Sequence, residues 1–315
     1  MNNFESQDLT NFNSRGGKFP TFTIAIPTYN SAHCLANAIQ SAINQDFDDY
    51  YEILIVNNAS TDNTAEVIAS FNDPRIRVVT NPETVDLFAN HNVCFREAKG
   101  EYVVFIHSDD ALQPFALKIL FNELESKFFP KRFILWGQGY YDSYYSQYLR
   151  SGHPINTIVV GFDAAKIFIF YGLAPSGVCF SKDSILEIGG FEKMIDKFTS
   201  QDWALMLLAT FREFEFEMID RPIVIRKIAS TASLMDWKIW EKAHKDSLKL
   251  LIKKLSETDK ESLLLCFYKY APLQCFPFIK TYFSKLRRRR FLLKKFWENP
   301  LKFFQERKFI RYNIK

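Results

Sequence analysis

The sequence predicts an α/β domain: a mostly parallel central sheet with flanking helices, followed by a helical, basic C-terminal extension. Three observations carry this prediction. Apolar runs without polar alternation, at residues 19–26 (FPTFTIAI), 51–56 (YEILIV) and 102–106 (YVVFI), read as strands buried on both faces, as in a parallel sheet. Stretches with apolar residues at helical spacing lie between them, the alternation expected of right-handed crossovers. After about residue 237 strand signals stop and the pattern becomes helical and basic.

In order, residues 1–18 are polar and predict a flexible N-terminus. After the first strand, PTYN leads to Ser31, which is expected to start a helix carrying Leu35, Ile39 and Ile43. The second strand ends in NNASTDN, where Thr61 or Asp62 can cap a helix containing Val67, Ile68 and Phe71. Residues 75–80 (RIRVVT) read as a third strand, and 85–98 as a helix stopped by Gly100. The fourth strand, in EYVVFIHSDD (101–110), ends in two carboxylates. After Pro114 a helix is followed by a strand at 132–139, and the Tyr- and Ser-rich 140–152 reads as a loop. A helix at 162–171, a short strand within 174–182, a helical turn closed by Gly189 and Gly190, and a helix at 199–211 follow. Two strands are expected at 214–219 and 223–228, separated by Asp220, Arg221 and Pro222. These readings give one domain at 19–236 and an extension at 237–315.

The chain has 315 residues and a formal net charge of +4, and that charge is uneven. Residues 285–315 hold twelve Lys/Arg against two Glu, so the remainder is net acidic by six. RRRR at 287–290 therefore sits outside the main domain, and no recognition motif accompanies it. This argues against a nucleic-acid partner. Residues 286–304 mix Phe, Leu and Trp with Arg and Lys, the composition of an interfacial helix on anionic lipid. Residues 263–283 are apolar but contain Lys269, Lys280 and two prolines, which argues against a spanning helix. No apolar segment precedes Lys18, so no secretory signal is expected. The five cysteines are scattered without metal-type spacing, which predicts reduced thiols in a cytoplasmic setting.

The candidate site begins at the end of the fourth strand. In open α/β sheets ligands bind outside the carboxyl ends of the strands. Asp109 and Asp110 stand there, and oxygen ligands of this kind suit Mg²⁺ or Mn²⁺. The same pair also reads as a helix N-cap, with Asp110 starting the next helix.

Six motifs occur in a fixed order: IPTYN (26–30), NNASTDNT (57–64), HNVCFREAKGEYVVFIHSDD (91–110), PSGVCFSKDSILEIGGFEKM (175–194), SQDW (200–203) and IRKIASTAS (225–233). As a set they resemble family 2 glycosyltransferases of the GT-A type, which are Rossmann-like, inverting and nucleotide-sugar dependent. The resemblance covers about residues 19–235. It implies that Pro27 and Tyr29 pack around the nucleotide base and ribose. Asn57 and Asn58 stand where the family has an acid that reads the base; an amide still offers a donor and an acceptor. His91, often Arg in the family, is expected to face the diphosphate, with Ser108 and Asp109 beside it. His107 takes the first position of the family's DxD motif, which leaves Asp109 as principal metal ligand and Asp110 as a ribose or second metal contact. Gly190, Gln201 and Trp203 are implied on the acceptor-sugar side, and Arg226 with Ser230 and Ser233 in a segment that closes over the diphosphate. Asp202 keeps the position of the catalytic base, in the first turn of a helix whose dipole favours its ionised form.

The function that follows is inverting transfer of a sugar from a nucleoside diphosphate sugar to a hydroxyl acceptor. The resemblance implies a glycan or lipid-linked acceptor, and bacterial surface polysaccharide synthesis at the inner face of the cell membrane. The alternative of a catalytically inert nucleotide-sugar-binding homologue rests on Asn57, Asn58, His107 and Gln201. A sugar-phosphate nucleotidyltransferase would need a glycine-rich basic loop after the first strand, and PTYNSAH has no glycine.

Overall fold

In the computed structural model the described residues are 21–141, 154–168, 173–192, 200–226 and 237–270. In order the elements are β1 (Phe22–Thr28), α1 (Leu35–Ile43), β2 (Tyr51–Asn57), α2 (Thr64–Ala69), β3 (Ile76–Thr80), α3 (Leu87–Glu97) and β4 (Tyr102–Phe105). The next are β5 (Ala111–Leu112), α4 (Ala116–Ser126), β6 (Phe133–Tyr141), β7 (Val159–Val160), α5 (Gly161–Phe168), β8 (Val178–Ser181) and α6 (Lys182–Glu187). The last are α7 (Gln201–Thr210), β9 (Glu215–Arg226), α8 (Trp237–Lys254) and α9 (Glu257–Tyr270).

β1, β2 and β4 are buried along their whole length, as their unbroken apolar runs require. The strands form one sheet in the order β3-β2-β1-β4-β8-β6-β9-β5, with β7 also on β9. The first four are mutually parallel. β8 then runs antiparallel to both β4 and β6, while β6 and β9 are parallel. Period-two alternation divides the side chains between two cores. Ala25, Val103 and Phe105 face a layer holding α3, α5, α7, α8 and α9 residues. Ile24, Ile26 and Val104 face a layer with α1 and α4. Aromatic burial dominates the first layer, where Phe95 meets Phe105 and Phe180 edge-on at 5.0 and 5.6 Å.

Several boundaries differ from the expectation, each for a physical reason. Ser31 does not start α1, which begins at Leu35 after a turn containing Asn30 at φ 47°. α3 ends at Glu97, where Ala98 turns extended, and not at Gly100. Gly100 serves a close approach instead: a Cβ there would lie 2.5 Å from the Thr23 nitrogen. Asp110 does not start a helix; it leads into β5, and α4 begins at Ala116. The two expected strands around Pro222 are one strand, β9, with a register irregularity against β6 where Gln138 opposes Pro222. Tyr140 and Tyr141 end β6, while the rest of the expected loop, the boundary near 236, and the basic segment 285–315 lie outside the described residues.

α8 and α9 are not an appendage to a finished domain. Leu248, Leu251, Leu255, Leu263 and Cys266 belong to the same core as the sheet. No helix among the described residues is long and apolar enough to cross a membrane. None of the four described cysteines is in a disulfide.

Candidate active site

The carboxyl ends of β1, β2 and β4 open into one cleft of about 660 Å³. Its walls come from residues 27–31, from Asn58, Thr84 and Val85, from the start of α3, from 107–110, and from Ser176 and Arg226. The β1 loop is held by the β2 loop. Asn30 Oδ1 accepts from Thr61 N–H (2.8 Å), Asn30 N–H donates to Ser60 Oγ (3.0 Å), and Ser31 N–H donates to Thr64 Oγ1 (2.9 Å). Asn30 thus braces the neighbouring loop and does not cap α1. Asp62 caps by an Asx turn, accepting from Thr64 N–H, and its hydrogen bonds hold its carboxyl below the usual range. Tyr29 is left exposed at the rim, with 49% of its surface accessible. The Thr28 hydroxyl is buried beneath it without a hydrogen-bond partner.

Asn58 is committed to the fold. Its Oδ1 accepts from Val85 N–H and Asn81 Nδ2, both at 2.9 Å, and its Nδ2 donates to Val85 O at 2.8 Å. Asn81 continues to Asn90 Oδ1 at 2.9 Å. The expected reading of the base through the Asn58 amide is corrected accordingly: the amide holds the Thr84–Val85 wall. Asn57 is buried, accepts from Ser60 N–H (3.0 Å) and does not line the cleft.

At the end of β4, His107, Asp109 and Asp110 bring their ligand atoms within 4.8 Å of one another. One imidazole and two carboxylates make a donor set that fits a divalent cation. Ser108 Oγ donates to Ser31 Oγ (2.9 Å), which ties this turn to the β1 loop. His107 N–H donates to Ser176 Oγ (3.2 Å), and Arg226 Nη2 donates to Ser176 O (2.7 Å). His91 reaches the cleft from α3, its Nε2 at 3.3 Å from His107 Nε2. Burial lowers its pKa to about 4, so it stays neutral and offers no cation to a diphosphate. Burial also holds His107 well below its ordinary value, with His91 and Arg226 adding to the effect.

Asp202 lies in the first turn of α7, but the helix N-terminus does not decide its charge. Burial raises its carboxyl above the ordinary value; the Trp203 N–H bond, His244 and Arg226 pull the other way. Arg226 lowers the pKa of both His107 and Asp202 electrostatically, although Asp202 itself does not line the cleft. The expected sugar contacts fare differently. Trp203 is 1% exposed and its ring packs edge-on against His244 at 4.8 Å, so it cannot stack on a sugar face. Gln201 is fully buried. Gly190, at φ 64°, is required because a Cβ would strike Asn92 Oδ1 at 2.4 Å, a packing reason in place of a sugar contact. Ser230 and Ser233 lie outside the described residues.

Sequence reasoning missed Ser176, the Asn81–Asn90 pair and His244. His107 was legible as a departure from DxD but not as a ligand. Its position two residues before a carboxylate pair was the available signal.

Residues 23–133 match the family model for glycosyl transferase family 2. A stretch of 108 residues is 37% identical to the chondroitin synthase of Pasteurella multocida, covering 34% of this chain and 11% of that protein. The chain spans less than two thirds of the curated relatives it matches. Its fold is similar to that of S. aureus TarS 1-349 in complex with UDP, with TM-score 0.60 and 18% identity over 87% of this chain and 75% of that one. It is also similar to the mannosyltransferase PcManGT from Pyrobaculum calidifontis in complex with GDP-Man and Mn²⁺, with TM-score 0.55 and 15% identity over 85% and 75%. Residues 23–133 are thus similar to glycosyl transferase family 2, and the fold around them is similar to that of GT-A glycosyltransferase structures.

Proposed function

We propose that the chain is an inverting glycosyltransferase that moves a sugar from a nucleoside diphosphate sugar to a hydroxyl acceptor. The acceptor is a glycan or lipid-linked glycan of a bacterial surface polysaccharide pathway. The observation that carries the reading is the cleft at the ends of β1, β2 and β4, with Asp109 and Asp110 at its mouth.

Tyr29 supplies a ring for the base, the Thr28 hydroxyl a polar contact, and the Asn58-held Val85 a wall. Arg226, which carries a fixed positive charge, faces the diphosphate. Mg²⁺ or Mn²⁺ would be held by His107, Asp109 and Asp110, and when bound would stabilise the departing diphosphate as a Lewis acid. Asp202 accepts the proton of the acceptor hydroxyl as that oxygen attacks the anomeric carbon from the face opposite the leaving group. A raised pKa suits this role, because a more basic carboxylate accepts a proton more readily. The basic segment 285–315 brings the enzyme to the anionic inner face of the membrane.

The test is a thermal-shift screen of nucleoside diphosphate sugars with and without Mn²⁺, followed by release of nucleoside diphosphate on turnover. A donor that stabilises the protein only with Mn²⁺ and is consumed supports transfer. Binding without turnover or hydrolysis would leave the inert homologue, a reading favoured by the burial of Gln201 and Trp203.

A further inference from the structure

Hydrogen-bond polarity fixes the histidine tautomers at the mouth of the cleft. His91 Nδ1 lies 2.7 Å from Leu87 O, a carbonyl that can only accept, so this nitrogen carries the proton. The ring is 1% exposed and packed between Phe105 at 5.0 Å and Phe191 at 5.7 Å. Its Nε2 is therefore a bare lone pair. His107 Nε2 sits 3.3 Å away and must donate the proton that joins them. An imidazole that gives its Nε2 proton to such a bond has its Nδ1 lone pair to offer a cation. That lone pair lies 4.0 Å from Asp110 Oδ2. The Asp109 carboxylate completes the group.

We infer that His107 Nδ1 is a direct metal ligand, and that this nitrogen makes the site select Mn²⁺ and later first-row ions over Mg²⁺. Imidazole suits transition metals, while a shell of oxygen alone suits Mg²⁺. The Leu87 O–His91–His107 chain orients the ligand ring, as an outer hydrogen bond to the far nitrogen of a metal-bound histidine does. His91 is accordingly a positioning residue. The inference rests on the metal-dependent donor reading above and deepens it by naming the class of ion.

The experiment uses the full chain with the metals themselves, so it does not depend on transfer. Mn²⁺ is added with UDP as probe, and the electron spin echo is recorded for unlabelled and ¹⁵N-histidine protein. A nitrogen coupling that changes with the label is expected. Mn²⁺ bound without such coupling, or no Mn²⁺ bound at all, would overturn the inference without needing any variant. Calorimetry with MnCl₂ and MgCl₂ gives the second readout. His107→Asp restores an all-carboxylate set and should lower the Mn²⁺/Mg²⁺ affinity ratio by about tenfold or more, while His91→Phe should weaken Mn²⁺ binding by about 10–100-fold, the scale of outer-partner loss. An unchanged ratio in His107→Asp overturns the selectivity, and unchanged Mn²⁺ affinity in His91→Phe overturns the orienting chain. If the donor reading alone is wrong, nucleotide sugars fail to turn over while the nitrogen coupling persists.

Discussion

Asn58→Asp is the substitution that most sharply separates a fold role from a base-reading role at this position. It installs the acid usual in related enzymes and changes a single group from NH₂ to O. Oδ1 would keep its bonds from Val85 N–H and Asn81 Nδ2. The other oxygen would then face Val85 O, now 2.8 Å from the donating Nδ2. One hydrogen bond worth about 1 kcal/mol is lost, and leaving the carbonyl unpaired costs about 1–3 kcal/mol more. The sum, about 2–4 kcal/mol, corresponds to a fall in Tm of roughly 4–16 °C for a domain of this size. Differential scanning calorimetry measures it directly. Titration with UDP then reads the wall: affinity should fall, because Thr84 and Val85 lose their anchor. An unchanged Tm together with tighter UDP binding would refute the reasoning and return Asn58 to the base-reading role.

Four further outcomes are expected. Asp109→Ala should abolish Mn²⁺-dependent donor binding by calorimetry while the circular dichroism spectrum is unchanged; retained Mn²⁺-dependent binding would contradict the metal assignment. Asp202→Asn should lower turnover by about 10²–10⁴-fold with donor binding intact. Because the Asp202 pKa is raised above its ordinary 3.8, the folded state holds this proton more tightly than the unfolded chain. Its stabilising contribution is full below that ordinary value and is lost as pH rises through the raised one, so Asp202→Asn should be the more stable protein on the alkaline side of this window. Urea titrations across pH check this, and the acid limb of wild-type turnover should fall at the raised value. Gly177→Ala should destabilise by about 1–3 kcal/mol in urea unfolding, since φ is 80° and the new Cβ would lie 2.5 Å from Val224 Cγ1. Removing 285–315 should abolish co-sedimentation with anionic liposomes, and equal recovery in the supernatant with and without it would exclude the membrane role.

Much of the parallel half was readable because burial on both faces leaves an unbroken apolar run, as in β1, β2 and β4. The cleft was readable from the polar residues that end those runs. The rest depended on contacts that periodicity does not encode. Nothing local distinguishes β8, which turns antiparallel, from a parallel strand. Pro222 read as a break because a proline removes a ladder donor, yet the β6 irregularity absorbs it within β9. Gln201 and Trp203 flank the acid in the first turn of α7, and tertiary packing, which includes α8 against α7, buries them. For Asp202, the sequence shows the helix dipole and the tertiary structure supplies the larger opposing effect of burial.

The fastening of α7 to α8 carries a thermodynamic consequence. Ser247 Oγ accepts from Ser200 N–H at 3.0 Å, Ser200 Oγ lies 3.2 Å from His244 Nδ1, and His244 acts on Asp202. Proton affinity at Asp202 and the placement of α8 are thus two variables of one linked equilibrium. The coupling between them is reciprocal: whatever free energy the placement of α8 contributes to proton binding at Asp202, protonating Asp202 returns to the placement of α8. The helices that follow the sheet are then an input to the proton affinity of Asp202 as well as a covering for the core.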